Sequence, residues 1–299
     1  MVHRLLPYLI AAFAACAATN AAALHDPRAL SADPWRWNLE PWLVGLLVGS
    51  ALLYARGVAV LWRKAGIGRG IRKIEVARFV LGWSALAAAL LSPLDLLAAR
   101  SFGIHMIQHE ALMVVAAPLL VVGRPLEAWA WAIPCRALRA LATFTHSPGI
   151  GLAWRAITEP VGAWCFHALA LWIWHLPVLF NAALANPALH VLQHASFFGS
   201  ALAFWWAVFG RSTRAPDPTS IASLLTTMLH TGALGALLTF APSAWYVLAG
   251  LPILGATPLE DQQLGGLVMW VPGSLAYLFA GLAIIGGWLR RPSNVPLYR

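Results

Sequence analysis

Charge is scarce in this chain: 10% of its 299 residues are Asp, Glu, Lys or Arg, against roughly 25% in soluble proteins. A sequence with so little charge cannot furnish the solvated surface of a soluble globular domain, and that class is excluded. Cysteine is scarce as well. Cys16, Cys135 and Cys165 contain no CxxC pair, which excludes a disulfide framework and a dithiol redox site. Acidic residues are the scarcest charge, eleven against twenty Lys and Arg, for a formal net charge of +9. Such a surplus marks a nucleic-acid partner when it gathers on one solvated patch. Here it is spread over short connections between apolar runs, and nucleic-acid binding is set aside.

What is abundant is apolar sequence, 60% of the chain. At about 20 apolar residues per bilayer crossing, this length and composition predict roughly seven spans. Windows of about 19 residues place them near 41–62, 75–98, 104–122, 160–180, 188–209, 221–248 and 264–289. A backbone in lipid must satisfy its own polar groups, so each is expected to be helical. The predicted class is an all-α polytopic membrane helix bundle occupying 41–290, with 24–40 as a periplasmic N-terminal segment and 291–299 as a cytoplasmic tail.

Basic residues set the direction. Arg63, Lys64, Arg69, Arg72 and Lys73 follow the first run, Arg124, Arg136, Arg139 and Arg155 the third, Arg211 and Arg214 the fifth, and Arg290, Arg291 and Arg299 the seventh. By the positive-inside rule these connections face the cytoplasm. The opposite loops hold Arg100 as their basic residue, no charge between Pro177 and His190, and the acidic pair Glu260 and Asp261. The expected topology therefore has the mature N-terminus outside and the C-terminus inside. At the start, Arg4, an apolar run from Leu5 to Ala18 and the small residues Ala21, Ala22 and Ala23 read as a secretory signal peptide over 1–23, with an uncleaved extra helix as the alternative. In the long inward connection 124–159, Trp129, Trp131, Cys135 and Leu138 alternate with Arg136 and Arg139, a pattern suited to a scaffold helix at headgroup level.

The histidines are concentrated by this topology. His105 and His109 open the third run, His190 and His194 the fifth, and His175 ends the fourth, so all five are expected in the outer third of the bilayer. Each pair is spaced i,i+4, which puts both imidazoles on one helix face in the arrangement a helix uses to chelate a metal ion. The two stretches, His105-Met106-Ile107-Gln108-His109 and His190-Val191-Leu192-Gln193-His194, share H-x-x-Q-H, and Pro93 and Pro177 precede them at similar distances. An internally duplicated unit of helix, outer turn and helix follows, with both motifs at the outer mouth. The bland alternative is an interfacial histidine cluster that tolerates either protonation state.

Other polar groups lie on the same side. Asp95 is a candidate ligand or a helix cap, and Met113, four residues after His109, is expected on the same stripe. Imidazole with thioether is a set that accepts Cu(I). Glu110 continues the third run, and Glu260, Asp261 and Gln262 precede the seventh. Deeper in the bilayer, His167 reads as a hydrogen-bonded packing residue or a functional one. His230 is either functional or satisfied by Thr226 and Thr227 of its own helix.

The H-x-x-Q-H stretch at 105–109 is followed by Pro118 and Gly123-Arg124-Pro125. Trp174-His175-Leu176-Pro177 then leads through Phe180-Asn181-Ala182-Ala183 to the second motif, and Asp261-Gln262-Gln263-Leu264-Gly265-Gly266-Leu267 to Met269-Trp270 and Pro272-Gly273. Together these resemble the membrane-type cytochrome c oxidase assembly factors called CtaG over roughly residues 40 to 290. A single-span copper chaperone that shares the label is not similar to this chain. The resemblance implies a seven-span bacterial inner-membrane protein needed to form active haem-copper oxidase, with a part in supplying copper. The connection 124–159 has no match in the resemblance, and the N-terminal leader is a departure that leaves processing open. The implied partners are oxidase subunits, the lipid bilayer and a periplasmic copper donor.

The expectation drawn from residues and resemblance together is a non-enzymatic assembly factor. Its ligands for copper, as Cu(I), would be His105, His109, His190 and His194, with His175, Asp95 and Met113 as alternates or supports. Two other classes use the same residues. A haem-binding redox protein would take one axial histidine from each motif, and a metal transporter would suit the repeated halves and His230.

Overall fold

A computed structural model describes residues 35–139, 148–210, 218–246, 248 and 255–290. The expected leader, most of the 24–40 segment, residues 140–147, Arg211, Arg214 and the expected tail from Arg291 lie outside the described residues. Within them the regular structure is helical: α1 (Pro41–Ala65), α2 (Lys73–Leu91), the short α3 (Leu94–Ala98), α4 (Phe102–Val122), α5 (Pro125–Ala132), α6 (Pro148–Thr158), α7 (Pro160–Trp174), α8 (Pro177–Ala185), α9 (Pro187–Phe209), α10 (Pro218–Thr239) and α11 (Pro258–Leu289). No strand occurs among the described residues.

Proline punctuates this order. Eight of the eleven helices begin on one, where the missing N–H is one the first turn would leave unbonded anyway. A residue before a proline is pushed out of the α region: Glu159 is extended at ψ 147° ahead of Pro160 and Leu176 at ψ 127° ahead of Pro177. The first of these bends α6 against α7 by 78°, and the second splits the single run expected over 160–180 into α7 and α8. The run expected over 221–248 is also shorter, ending as a helix at Thr239.

Five helices are long and apolar enough to cross a membrane: α1, α2, α4, α10 and α11, with the bent pair α6–α7 as a sixth. Helix α9 is 23 residues long yet is not among them, because its apolar run is interrupted by His190, Gln193 and His194. These three are buried. Among the described residues the count by length and hydropathy is therefore five or six, in place of the seven expected. Outward-facing residues such as Leu52, Leu81, Leu229 and Phe279 are well exposed, as the flanks of a multi-pass membrane protein must be.

Two π-helical turns interrupt long helices, at Ala111–Ala116 of α4 and Met269–Gly273 of α11. Each lies at a proline: Pro118 follows the first and Pro272 lies within the second. A proline inside a helix lacks its N–H and crowds the carbonyl four residues back, and widening the turn relieves both problems.

Helix α1 packs along α5, α7 along α9, and α11 along α4 and α10. One apolar core joins α1, α2 and α4 around Leu47, Tyr54, Phe79 and Leu120, and a second joins α4, α7, α9 and α11 around Phe197, Phe204, Trp205 and Tyr277. At one end of the first core the Tyr54 hydroxyl donates to the Gly123 carbonyl at 2.9 Å, and the Arg124 guanidinium donates to the Glu127 carboxylate at 3.2 Å. Arg124 also donates to the Gly70 carbonyl at 3.0 Å, which ties down its left-handed backbone at φ 55°.

Close helix approach relies on small residues, as is usual in membranes. A Cβ on Gly57 would run into the Ala128 carbonyl, whereas one on Gly45 would meet nothing within 4 Å. Gly57→Leu is therefore expected to destabilise the α1–α5 contact by about 1–3 kcal/mol, lowering the thermal midpoint of the detergent-solubilised protein. Gly45→Leu on the same helix should leave that midpoint unchanged.

Candidate metal centre

The chemistry-bearing residues collect where helices begin or end on one side of the bundle. Helix α4 starts at the N-cap Ser101, whose hydroxyl accepts from the Ile104 N–H at 3.3 Å. Helix α9 starts at Asn186, whose side-chain oxygen accepts from the N–H groups of Ala188 and Leu189 at 2.9 and 3.3 Å. Such caps satisfy N–H groups that a helix start leaves open. They place His105 and His109 in the opening turns of one helix and His190 and His194 in those of the other. The break at Pro177 adds His175 as the C-cap of α7.

The five imidazoles meet. Ring centroids are 4.3 Å apart for His105–His109, 4.2 Å for His190–His194, 5.1 Å for His109–His194, 5.6 Å for His105–His190 and 6.5 Å for His109–His175. For His105, His109 and His194, one ring nitrogen from each lies within 4.8 Å of the others. Three ligands about 2.0 Å from one ion would stand about 3.3–3.5 Å apart, so binding would draw these nitrogens closer together. Phe180 and Phe197 wall the cluster at 5.0 Å from His105 and 4.6 Å from His109. Exposure grades from 0% at His105 and 1% at His109 to 7% at His194 and 9% at His190, so the second motif is the less deeply buried of the two.

Hydrogen bonding leaves the cluster primed to ligate. The His105 Nδ1–H donates to the Ala98 carbonyl at 3.3 Å and the His175 Nδ1–H to the Leu171 carbonyl at 2.7 Å. That assignment makes Nε2 the lone-pair nitrogen of both rings, the arrangement found when histidines bind metals. Five buried imidazole nitrogens here have no hydrogen-bond partner: His105 Nε2, both nitrogens of His109, His175 Nε2 and His194 Nε2. Buried polar atoms are normally paired, so this donor set fits a metal ion.

Two further expected members have partners in the fold. The Asp95 carboxylate accepts from Asn38 Nδ2 at 3.0 Å and Gln108 Nε2 at 2.8 Å, and Gln108 also donates to the Ala89 carbonyl at 2.8 Å. Asp95 thus holds the glutamine of the first H-x-x-Q-H in place. Met113 is buried in the apolar core with Phe197 and Trp205, and its carbonyl accepts from the Trp205 indole at 2.8 Å. It lies in the π turn of α4 and packs in the same cluster as Phe197, whose ring stands 4.6 Å from His109.

The deeper histidines differ from each other. His167 donates from Nδ1 to Ser200 Oγ at 3.0 Å and accepts from the Tyr277 hydroxyl at 3.3 Å, a fully satisfied packing residue. His230 stands edge-on to Trp164 at 5.7 Å with neither ring nitrogen hydrogen-bonded. Thr226 bonds instead to the carbonyls of Ala222 and Ser223. Sequence reasoning missed Tyr246, whose ring stacks on Phe102 at 4.6 Å and whose hydroxyl donates to the His175 carbonyl at 2.8 Å. It also missed the way Asp261 meets α4, where its carboxylate accepts from Ser101 Oγ at 2.7 Å. Only the long-range fold brings these partners together.

The fold and site thus define a polytopic helical membrane protein with a buried imidazole cluster between two duplicated motifs. Residues 52–291 match the sequence profile of the cytochrome c oxidase caa3 assembly factor family (Caa3_CtaG), and the chain belongs to that family. It is also 25% identical over 279 residues to the uncharacterised proteins Mb0105 of Mycobacterium bovis and MT0111 of Mycobacterium tuberculosis, covering 86% of this chain and 40% of theirs. The chain therefore spans about two fifths of the length of these curated relatives. No solved structure matches it.

Asp95 gives the prediction that separates support from ligation. Asp95→Ala leaves the Gln108 and Asn38 amides each short of an acceptor, and is expected to destabilise by about 1–3 kcal/mol. The thermal midpoint should fall while the number of metal ions bound per chain stays as in the wild type.

Proposed function

We propose that this protein is a non-enzymatic assembly factor of haem-copper cytochrome c oxidase that binds copper, as Cu(I), in its histidine cluster and passes it to an oxidase subunit. The observation that carries the reading is the convergence of His105, His109 and His194 with unpartnered ring nitrogens, in a chain of this family. Imidazole suits copper, and His190 and His175 are close enough to exchange as ligands. The positive-inside pattern supports an inner-membrane orientation with the cluster on the periplasmic side and the C-terminus in the cytoplasm. A periplasmic donor would then load the site from the outer mouth.

The rival haem reading uses the same rings, whose centroids across the two motifs stand 5.1, 5.6 and 6.1 Å apart, and haem absorbance of the purified protein separates the two readings.

The test is copper content of purified full-length protein after exposure to Cu(I) under reducing conditions, wild type beside the double variant His105→Ala/His109→Ala. Near-stoichiometric copper in the wild type, lost in the variant and without haem absorbance, is the expected result. Absence of copper from both would remove the cargo and leave the histidines a structural or docking role. Neutral imidazole is the ligating form, so protons compete with the metal. Occupancy should therefore fall once the medium is acidic enough to protonate the buried cluster.

A further inference from the structure

Asp261 is 3% exposed and sits in the first turn of α11, far along the chain from the histidines. Its carboxylate accepts from Ser101 Oγ at 2.7 Å, the Phe102 N–H at 2.6 Å and the Gly103 N–H at 3.2 Å. One side chain of α11 thus satisfies the start of α4, where the positive end of the helix dipole favours an anion. The same turn carries the first helical hydrogen bond of His105, whose N–H donates to the Ser101 carbonyl at 2.9 Å. Two glycines permit the approach. A Cβ on Gly103 would lie 3.3 Å from Asp261 Oδ1, and one on Gly265 would strike the Phe102 ring.

We propose that Asp261 is the positioning residue of the histidine centre, anchoring the first turn of α4 so that His105 and His109 face His194. It acts through the backbone of α4 and is not itself among the grouped ligand atoms. A slip of one residue at this helix start would turn both imidazoles by about 100°, away from α9. Ser101 relays the anchor, because its hydroxyl donates to Asp261 while accepting from Ile104. This assignment rests on the metal reading of the cluster, and the experiment separates the two.

Wild type, Asp261→Ala, Asp261→Asn and Ser101→Ala are compared in the purified full chain by three readouts. These are Cu(I) affinity in competition with a chromophoric chelator, the visible spectrum of bound Co(II) as a probe of ligand geometry, and hydrogen exchange of the 102–109 amides. Tyr54→Phe, which removes a buried hydrogen bond to Gly123 far from the site, serves as the control for simple loss of stability. Asp261→Ala is expected to weaken Cu(I) binding by about 10- to 100-fold, shift the Co(II) bands and speed exchange at 102–109. Asp261→Asn, which keeps one acceptor oxygen, should recover part of each. Tyr54→Phe should lower the thermal midpoint with the Co(II) bands unmoved.

If Asp261→Ala is not obtained folded, Ser101→Ala carries the same readouts with smaller shifts. Wild-type affinity and Co(II) bands in the aspartate variants, or unchanged protection of 102–109, overturn the proposal. A wild-type chain that takes up neither metal, with 102–109 released in Asp261→Ala, would overturn the metal reading and leave the anchoring role standing.

Discussion

A backbone in hydrocarbon has no water to bond, so each N–H and C=O must find a partner inside the chain. Helices meet that demand along their length and fail to meet it at their ends. The structure concentrates its polar side chains at those ends. Asn186 caps α9, Ser101 caps α4, Asp261 bonds the same start from another helix, and Thr257 and Glu260 form a capping box at the start of α11. Prolines decide where the ends fall, and the break at Pro177 is what frees His175 to turn toward the cluster. The site is therefore a consequence of where helices can start and stop.

The imidazoles do not follow that logic of satisfaction. The five orphaned nitrogens of the cluster would each be expected to cost roughly 1–3 kcal/mol if left without a partner, a sum comparable to the whole stability of a typical domain. His167, deeper in the same bundle, shows the alternative, since Ser200 and Tyr277 satisfy both its nitrogens. The contrast separates a histidine satisfied by the packing from a cluster whose ring nitrogens are left open to a ligand. Asp95 makes the same point from the other direction, because its two oxygens are engaged by Asn38 and Gln108 and their lone pairs are committed to the fold.

Much of this was legible from local pattern. The i,i+4 spacing and the repeated H-x-x-Q-H placed four imidazoles on two helix faces, and the apolar runs placed both motifs on one side of the bilayer. What local pattern could not show depends on tertiary partners or on departures from ideal helix geometry. The π turn that holds Met113 was not legible in the sequence. Helix α9 falls short as a span by composition because its polar residues are buried against other helices, a compensation invisible to a hydropathy window. Asp261 meets Ser101 across 160 residues of sequence, and nothing in the run Asp261-Gln262-Gln263 indicates that its acceptor oxygens serve another helix.

On the delivery reading proposed above, the site would have to hold its cargo and also release it, and the burial of the histidines is graded. His105 and His109 are sealed behind Phe180 and Phe197, while His190 and His194 are closer to the surface. Cu(I) is content with two or three ligands, and five imidazoles exceed that number. On that reading, an ion held by His105, His109 and His194 would have His190 beside it as a further ligand. His194 belongs both to the deep triad and to the outer pair, with its ring 5.1 Å from His109 and 4.2 Å from His190. On the delivery reading, that shared ligand makes His194 the pivot of transfer, and the duplication of H-x-x-Q-H is what supplies a second pair for the ion to move onto.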